Sequence, residues 1–149
     1  MVKAVFDTNL LVSAFLTRHH PGGVSSELLR FVIDRTIELY LSTEIVDELV
    51  ATLSEARFQQ RYPFSPQQVG QYRADLLMLA NIVDDPPPIP GAVPRDPDDD
   101  KIIACAVAAG VEYLVSRDRD LLSLDSYAGI TIIAPEALLH IVRQQSQRP

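Results

Sequence analysis

The sequence has little of several features that mark common classes of protein. It holds one cysteine, Cys105, among 149 residues, so we expect no intramolecular disulfide, and a reducing compartment fits. No apolar stretch approaches the length of a membrane span, and the run in MVKAVFDTN is far too short for a signal peptide. Lys and Arg number 13 against 20 Asp and Glu, and the formal net charge of -7 argues against a generic basic DNA-binding surface. We therefore expect a cytoplasmic protein with a single domain over residues 1–149.

Motifs for several common chemistries are also missing. There is no Gly-rich dinucleotide or phosphate loop, no G-x-S-x-G elbow and no CxxC pair. DPDDDKII begins like an EF-hand loop, but Lys101 stands where that loop needs Gly and Val107 where it needs the closing Glu. A haloacid-dehalogenase phosphotransferase needs a second Asp where this chain has Asn9. A response-regulator receiver needs a third-strand Asp and a late Lys, and neither is found.

Short apolar strands alternate with helices along the chain. Strands are predicted at 3–6, 37–41, 113–115 and 130–133, and helices at 10–16, 25–33, 43–53, 66–81, 100–109 and 135–144. Three stretches are predicted to lack regular structure: a helix-to-helix turn at 56–66, the proline-rich 84–90, and a turn at 125–129. This alternation predicts a three-layer α/β/α sandwich with a mainly parallel central sheet.

Acidic residues follow or face the ends of these strands. Asp7 ends the first strand, Asp100 begins a helix, Asp118 and Asp120 follow a later strand, and Glu48 on the third helix could overlook the same edge. Two like charges about 4 Å apart repel by roughly 4 kcal/mol at an effective dielectric of about 20, so their convergence calls for cations. Ligands that are all oxygen select Mg²⁺ or Mn²⁺ over zinc. The sequence thus favours a hard divalent metal site.

Each acid also has a simpler interpretation. Asp7 would cap the first helix, and Glu48 alone is an exposed helix charge that helical geometry does not separate from Glu44. Asp100 shares a helix face with three apolar residues, which favours it as the inward-facing member of the Asp run; they are Ile103, Ala104 and Val107. The rest of the run is expected to serve as loop and capping residues, namely Asp96, Asp98 and Asp99.

Four segments stand out together: VFDTNLLVSAF, LSTEIVDELVATL, DPDDDKIIACAVAAGVEYLVSRDRDLL and ITIIAPEALL. They resemble the PIN-domain family, specifically the VapC-like toxins of bacterial toxin–antitoxin pairs, and they span nearly the whole chain. Any one segment is weak evidence, whereas the order Asp, Glu, Asp, Asp with these flanks is specific. The resemblance implies a PIN-like fold.

The same resemblance assigns the acidic site. It implies catalytic and metal-binding roles for Asp7, Glu48, Asp100 and Asp118, with Asp120 as an accessory carboxylate, and it selects Glu48 over Glu44. It also implies that Asn9 and Ser116 support the hydrogen bonds of the site. The Asp run leaves the choice between Asp99 and Asp100 open by one residue, and Ser116 stands where Thr is more usual.

The acidic residues at the strand ends and the family resemblance together lead us to expect a metal-dependent endoribonuclease. Asp7, Asp100 and Asp118 would ligate one or two Mg²⁺ or Mn²⁺ ions, while Glu48 ligates or orients the attacking water. The resemblance further implies a homodimer and a cognate antitoxin partner. A non-catalytic PIN-like domain that binds RNA or protein, or a nuclease acting on DNA, is the alternative.

An acidic protein still needs cations to guide RNA. The candidates are Arg18 with the adjacent His19 and His20, Arg57, Arg61, Arg95, Arg117 and Arg119. Tyr62 or Phe64 would stack on single-stranded bases. A dimer surface is expected at apolar positions of the second and fourth helices, such as Leu76, Leu77 and Met78.

Overall fold

Six strands form one sheet. They are β1 (Val2–Phe6), β2 (Ile37–Ser42), β3 (Asn81–Val83), β4 (Tyr113–Val115), β5 (Ser126–Tyr127) and β6 (Ile130–Ile133). Their order across the sheet is β3-β2-β1-β4-β6-β5, and neighbours are parallel except for β5, which is antiparallel to β6. The computed structural model describes residues 1–19, 22–94 and 99–146.

Helices flank this sheet. Within the described residues they are α1 (Thr8–Leu16), α2 (Val24–Ile33), α3 (Thr43–Leu53), α4 (Ala56–Arg61), α5 (Pro66–Leu79), α6 (Asp100–Ala109), α7 (Arg119–Leu122) and α8 (Pro135–Ser146). Helix α1 packs on α2 and α3, α2 packs on α8, and α6 lies against β1 and β2. The predicted α/β sandwich with a mainly parallel sheet is confirmed.

The central strands are buried on both faces, as their uninterrupted apolar sequences predict. Val5, Leu39, Leu41, Leu114 and Val115 are fully buried. Strands covered on both sides read as continuous apolar runs because neither face meets water. Since β1 and β4 are adjacent and in register up to their last residues, the residues that follow them leave the sheet side by side.

Several predicted ends and loops were wrong. The helix predicted to reach residue 81 stops at Leu79, and residues 81–83 form β3. The stretch 56–66 contains α4, 125–129 contains β5, and a short helix, α7, follows Asp118. These elements are too short to give a periodic signal, and pairing or packing with distant segments stabilises them.

Helix termini follow the sequence at some ends only. Ser42 caps α3 at the predicted start of that helix, its side chain accepting the Ile45 N–H, and Gly110 ends α6 with a φ of +65°. Helix α2, however, starts one residue earlier than predicted with Gly23 at its N-cap, and Ser25 and Ser26 lie buried inside the helix and do not cap it. In the described ranges, each helix is too short or too polar to cross a membrane.

Candidate active site

Asp7 lies at the carboxyl end of β1, where the chain turns into α1. Its backbone N–H donates to the carbonyl of Val115 at the end of β4 (3.0 Å), and its own carbonyl accepts from the N–H groups of Leu10 and Leu11. The backbone of Asp7 therefore joins two strands and starts a helix. Its side chain is only 5 % exposed, so the carboxylate is held within the protein.

Ser116 connects Asp7 to Asp118. It is fully buried directly after β4, and its Oγ donates to Oδ2 of Asp7 (2.7 Å) while accepting the backbone N–H of Asp118 (2.9 Å). Asp118 is the N-cap of α7, where its Oδ1 accepts the N–H of Asp120 (2.8 Å). One hydroxyl thus fixes two acids that are far apart in the chain.

The surroundings of Asp7 disfavour its charged form. Burial is the main cause and raises the pKa of the Asp7 carboxyl above its ordinary value, and the negative charges of Asp118 and Glu48 raise it further. Hydrogen bonds from Ser116 and from the Thr8 backbone act in the opposite direction but are outweighed. Asp118 and Glu48 are therefore near enough to Asp7 to act on it, and a cation bound among the three would reverse the effect.

Glu48 reaches this region from α3. Its Oε2 accepts from Oγ1 of Thr8 (3.2 Å), the residue after Asp7, and forms an ion pair with Nζ of Lys101 on α6 (2.9 Å). Glu44 lies one turn earlier on α3, is exposed, and lines a separate cavity. The contact with Thr8 places Glu48 at the acidic edge.

The Asp run divides between two environments at the start of α6. Asp99 is the N-cap residue and is buried, with 9 % exposure. Asp100 is half-buried, and its two carboxylate oxygens accept from the backbone N–H groups of Gly91 (2.9 Å) and Val93 (2.7 Å) in the preceding loop. The more deeply buried acid is therefore Asp99, contrary to the helix-face argument for Asp100. That argument missed the loop, which binds Asp100. A metal-binding role for Asp100 stays a prediction.

The donor chemistry of the acids fits a hard divalent cation. All the donors are carboxylate oxygens, and buried negative charge at Asp7 is what such an ion would neutralise. In the part of the chain that the structure describes, no three His, Cys, Asp or Glu side chains are arranged to hold a metal ion. Mg²⁺ usually keeps several waters and is bound through only one or two carboxylates, so Asp7 and Asp118 would suffice as protein ligands.

Two of the predicted RNA-binding arginines stand at the ends of one row of aromatic rings. The guanidinium of Arg18 lies 4.1 Å from the ring centroid of Phe15, and that of Arg61 lies 5.6 Å from the ring centroid of Tyr62. Contacting rings connect them, in the order Phe15, Phe64, Phe58 and Tyr62. Phe64 packs edge-on against Phe15 at 4.9 Å, so it serves packing more than base stacking.

The other predicted cations have varied surroundings. Arg57 is exposed on α4, Arg119 is exposed on α7, and Arg117 forms an ion pair with Glu136 on α8. Asn9 is exposed on the first turn of α1, and the hydroxyl of its neighbour Thr8 contacts Glu48. Four residues named in the sequence analysis lie outside the described residues: His20, Arg95, Asp96 and Asp98.

Sequence reasoning missed Thr8 and Lys101, whose side chains both contact Glu48. Thr8 was given no role in the site. Lys101 was noted only as a residue that rules out an EF-hand. Adjacency to Asp7 and to the Asp run was the one available signal, and it does not say which side chains meet across the sheet edge.

Comparisons with known proteins agree with this fold. The model of the PIN domain matches residues 3–120, and the chain belongs to this family. Among similar solved structures is PAE2754 from Pyrobaculum aerophilum, 18 % identical, with a TM-score of 0.60 and coverage of 97 % of this chain and 91 % of that one. Another is VapBC2 from Rickettsia felis bound to a DNA fragment from their promoter, 15 % identical, with a TM-score of 0.57 and coverage of 89 % and 98 %. No curated protein matches the sequence.

Proposed function

We propose that this chain is an endoribonuclease that hydrolyses phosphodiester bonds of RNA with Mg²⁺ or Mn²⁺. The environment of Asp7 supports this most. Its carboxyl is buried beside Asp118 and Glu48, and its pKa is raised by burial and by both neighbours. Gathering like charges in a buried place costs stability unless a cation neutralises them. Membership of the PIN-domain family supports the same conclusion.

The residues would divide the work as follows. Asp7 and Asp118 bind the cation, and Asp100, Asp120 and Glu48 complete its surroundings. A bound divalent cation would supply Lewis-acid stabilisation of the negative charge that develops on the phosphodiester oxygens.

Glu48 has a second role, and two further residues support the site. Glu48 also orients the attacking water and accepts its proton. Its contacts with Thr8 and Lys101 both use Oε2, so Oε1 is the oxygen proposed to face the water. Ser116 fixes Asp7 relative to Asp118. Asn9 is a further support at the start of α1.

The partners proposed are a cognate antitoxin and a second copy of this chain. The similar structure from Rickettsia felis contains VapBC2 with promoter DNA, and on that likeness we assign this chain the toxin role in a cytoplasmic toxin–antitoxin pair. The RNA strand would be guided by Arg18, Arg57, Arg61 and Arg117. Toxicity itself depends on dose and target.

The test is cleavage of end-labelled single-stranded RNA with Mn²⁺, with Mg²⁺ and with EDTA. Asp7→Asn, Asp118→Asn and Glu48→Gln are each expected to lower the rate by about 100-fold or more. Asp47→Asn is the matched control, because Asp47 is an exposed acid next to Glu48 on the same helix. It should keep the wild-type rate.

The outcomes separate the candidate functions. RNA binding without cleavage in either metal would identify a non-catalytic domain. Faster cleavage of DNA of the same sequence would identify a DNA nuclease. Equal losses in Asp47→Asn and Asp7→Asn would mean that the assay reports folding and not the acidic site.

A further inference from the structure

A cavity of about 250 Å³ lies beside the acidic site, between the first turns of α3 and α6. One part of its lining is apolar and comes from the proline-rich loop, with Pro86, Pro88 and Ile89, and from Ala104 on α6. Pockets that bind small planar groups are usually mostly apolar with a few convergent polar groups. This cavity has that composition.

Lys101 joins the cavity to the acidic site. It lines the cavity, and its Nζ forms the 2.9 Å ion pair with Glu48. Glu44, another lining residue, precedes Glu48 by one helical turn, so the two glutamates lie on the same side of α3. A group held in the cavity would therefore be next to the reacting part of a bound strand.

The loop that walls the cavity is fastened to α6. Asp100 accepts hydrogen bonds from the N–H groups of Gly91 and Val93, and this holds the end of the proline-rich loop against the first turn of the helix. The prolines also restrict the backbone of the loop. The apolar wall is thus preorganised, which lowers the cost of binding a flat ligand.

We propose that this cavity binds a guanine base of the RNA strand next to the cleaved phosphodiester bond. The inference rests on the proposed ribonuclease function. The polar lining of the cavity includes two carboxylates, Glu44 and Asp100. Carboxylates repel phosphate but accept hydrogen bonds from base N–H groups. Guanine presents two adjacent donors, N1–H and N2–H₂, that match one carboxylate such as that of Glu44.

The other bases fit this edge less well. Adenine and cytosine place a ring acceptor next to their amino group, and uracil places its N3–H between two carbonyl oxygens. Each would direct an acceptor at a carboxylate, which costs free energy when the groups are desolvated. The apolar wall supplies the face on which the splayed base packs.

Binding is tested without metal, so that it is independent of cleavage. The probes are the 5′-monophosphates of guanosine, adenosine, cytidine and uridine, titrated into isotopically labelled protein and followed by NMR. Guanosine monophosphate should bind about tenfold more tightly than the others and shift the amide signals of Ile89, Lys101 and Ala104. Equal affinity for all four, or shifts elsewhere only, would overturn the assignment.

Paired variants locate the contacts. Glu44→Gln should weaken binding of guanosine monophosphate by about tenfold, while Asp47→Asn on the same helix leaves it unchanged. Ala104→Leu fills the cavity and should abolish binding, whereas Ala108→Leu, one turn later at an exposed position, should not. If Ala104→Leu fails to fold, the exposed Glu44→Gln still decides, because unchanged affinity there would contradict the proposal.

Cleavage-site sequencing of a random RNA pool separates this inference from the ribonuclease proposal. Wild-type protein should enrich guanine at one fixed position beside the cut, and Glu44→Gln should lose that enrichment while still cutting RNA. Cleavage without base preference would overturn the cavity assignment alone. Guanosine monophosphate binding without any RNA cleavage would overturn the ribonuclease proposal, and with it the placement beside a cleaved bond, while guanine binding by the cavity would stand.

Discussion

Asp7 serves the proposed activity but lowers the stability of the folded, metal-free protein. Its carboxyl is buried beside two other acids, which raises its pKa. We predict that Asp7→Asn stabilises the metal-free protein at neutral pH by about 1 kcal/mol, or about 3 °C in Tm, because Asn keeps an acceptor for Ser116 and carries no charge. Thermal unfolding in EDTA measures this.

The pH dependence of the stability difference between Asp7→Asn and wild type is the control for this prediction. A group whose folded pKa is raised contributes stability fully below its unfolded pKa, and that contribution is lost as pH rises through the folded pKa. The advantage of Asp7→Asn should therefore be largest at neutral pH and disappear below about pH 4. If Asp7→Asn is less stable than wild type at neutral pH, the destabilising effect assigned to the buried Asp7 charge is wrong.

Ser116 is the residue on which the relative placement of two acids depends. Ser116→Ala removes the donor to Asp7 and the acceptor of the Asp118 N–H from a fully buried place, so we predict a loss of about 2 kcal/mol in unfolding free energy. Ser116→Thr keeps the hydroxyl and should lose less. Denaturant titration measures both, with Ser54→Ala at an exposed position as the control. A loss in Ser116→Ala no larger than in that control would contradict the linking role.

The order of acids with their flanking segments was enough to nominate Asp7, Glu48 and Asp118, which the structure brings to one region. The choice within the Asp run was not predictable in the same way. Helix periodicity favours Asp100, but the hydrogen bonds from Gly91 and Val93 depend on how a distant loop folds back. Lys101 was missed for the same reason, because its partner Glu48 lies on another helix.

At the scale of elements, two glycines test whether backbone conformation ends α6. Gly110 has a φ of +65°, whereas Gly70 lies inside α5, and a Cβ at either position would meet open space. We predict that Gly110→Ala destabilises the protein by about 1 kcal/mol and that Gly70→Ala stabilises it by about the same amount. The unfolding free energies of the two variants, measured by denaturant titration, test this prediction. A change of the same sign in both would contradict the role assigned to the positive φ of Gly110.

The long elements followed from sequence, and so did the short strands β4 and β6, whereas β3, β5, α4 and α7 did not. The helix α5 has a signal at its start, where Ser65 at the N-cap and Gln68 at N3 form a capping box on either side of Pro66. The strand β3 has three residues and pairs only at the edge of the sheet with β2, so tertiary pairing determines it. The helix α7 depends on the cap that Asp118 provides.

At the scale of the whole molecule, the predicted dimer surface needs revision. Leu76 is fully buried and belongs to the core, whereas Met78 is 82 % exposed. If α5 forms the homodimer interface, Met78→Glu should convert the dimer to a monomer without unfolding it, because a charge is costly in an apolar interface.

Light scattering after size exclusion measures this change. Gln60→Glu, at an exposed position on α4, adds the same charge and should leave the mass unchanged. A Met78→Glu protein that stays dimeric would place the interface elsewhere.

The sequence by itself determined the class of fold and nominated Asp7, Glu48 and Asp118 for the candidate site. It could do so because strand apolarity, helix periodicity and the order of acidic segments can be read along the chain. Only the tertiary structure decided that the Ser116 hydroxyl links Asp7 to the backbone of Asp118, that Lys101 pairs with Glu48, and that a proline-lined cavity adjoins these residues. Those features depend on side chains from separate elements meeting at one sheet edge, and no local pattern encodes such a meeting.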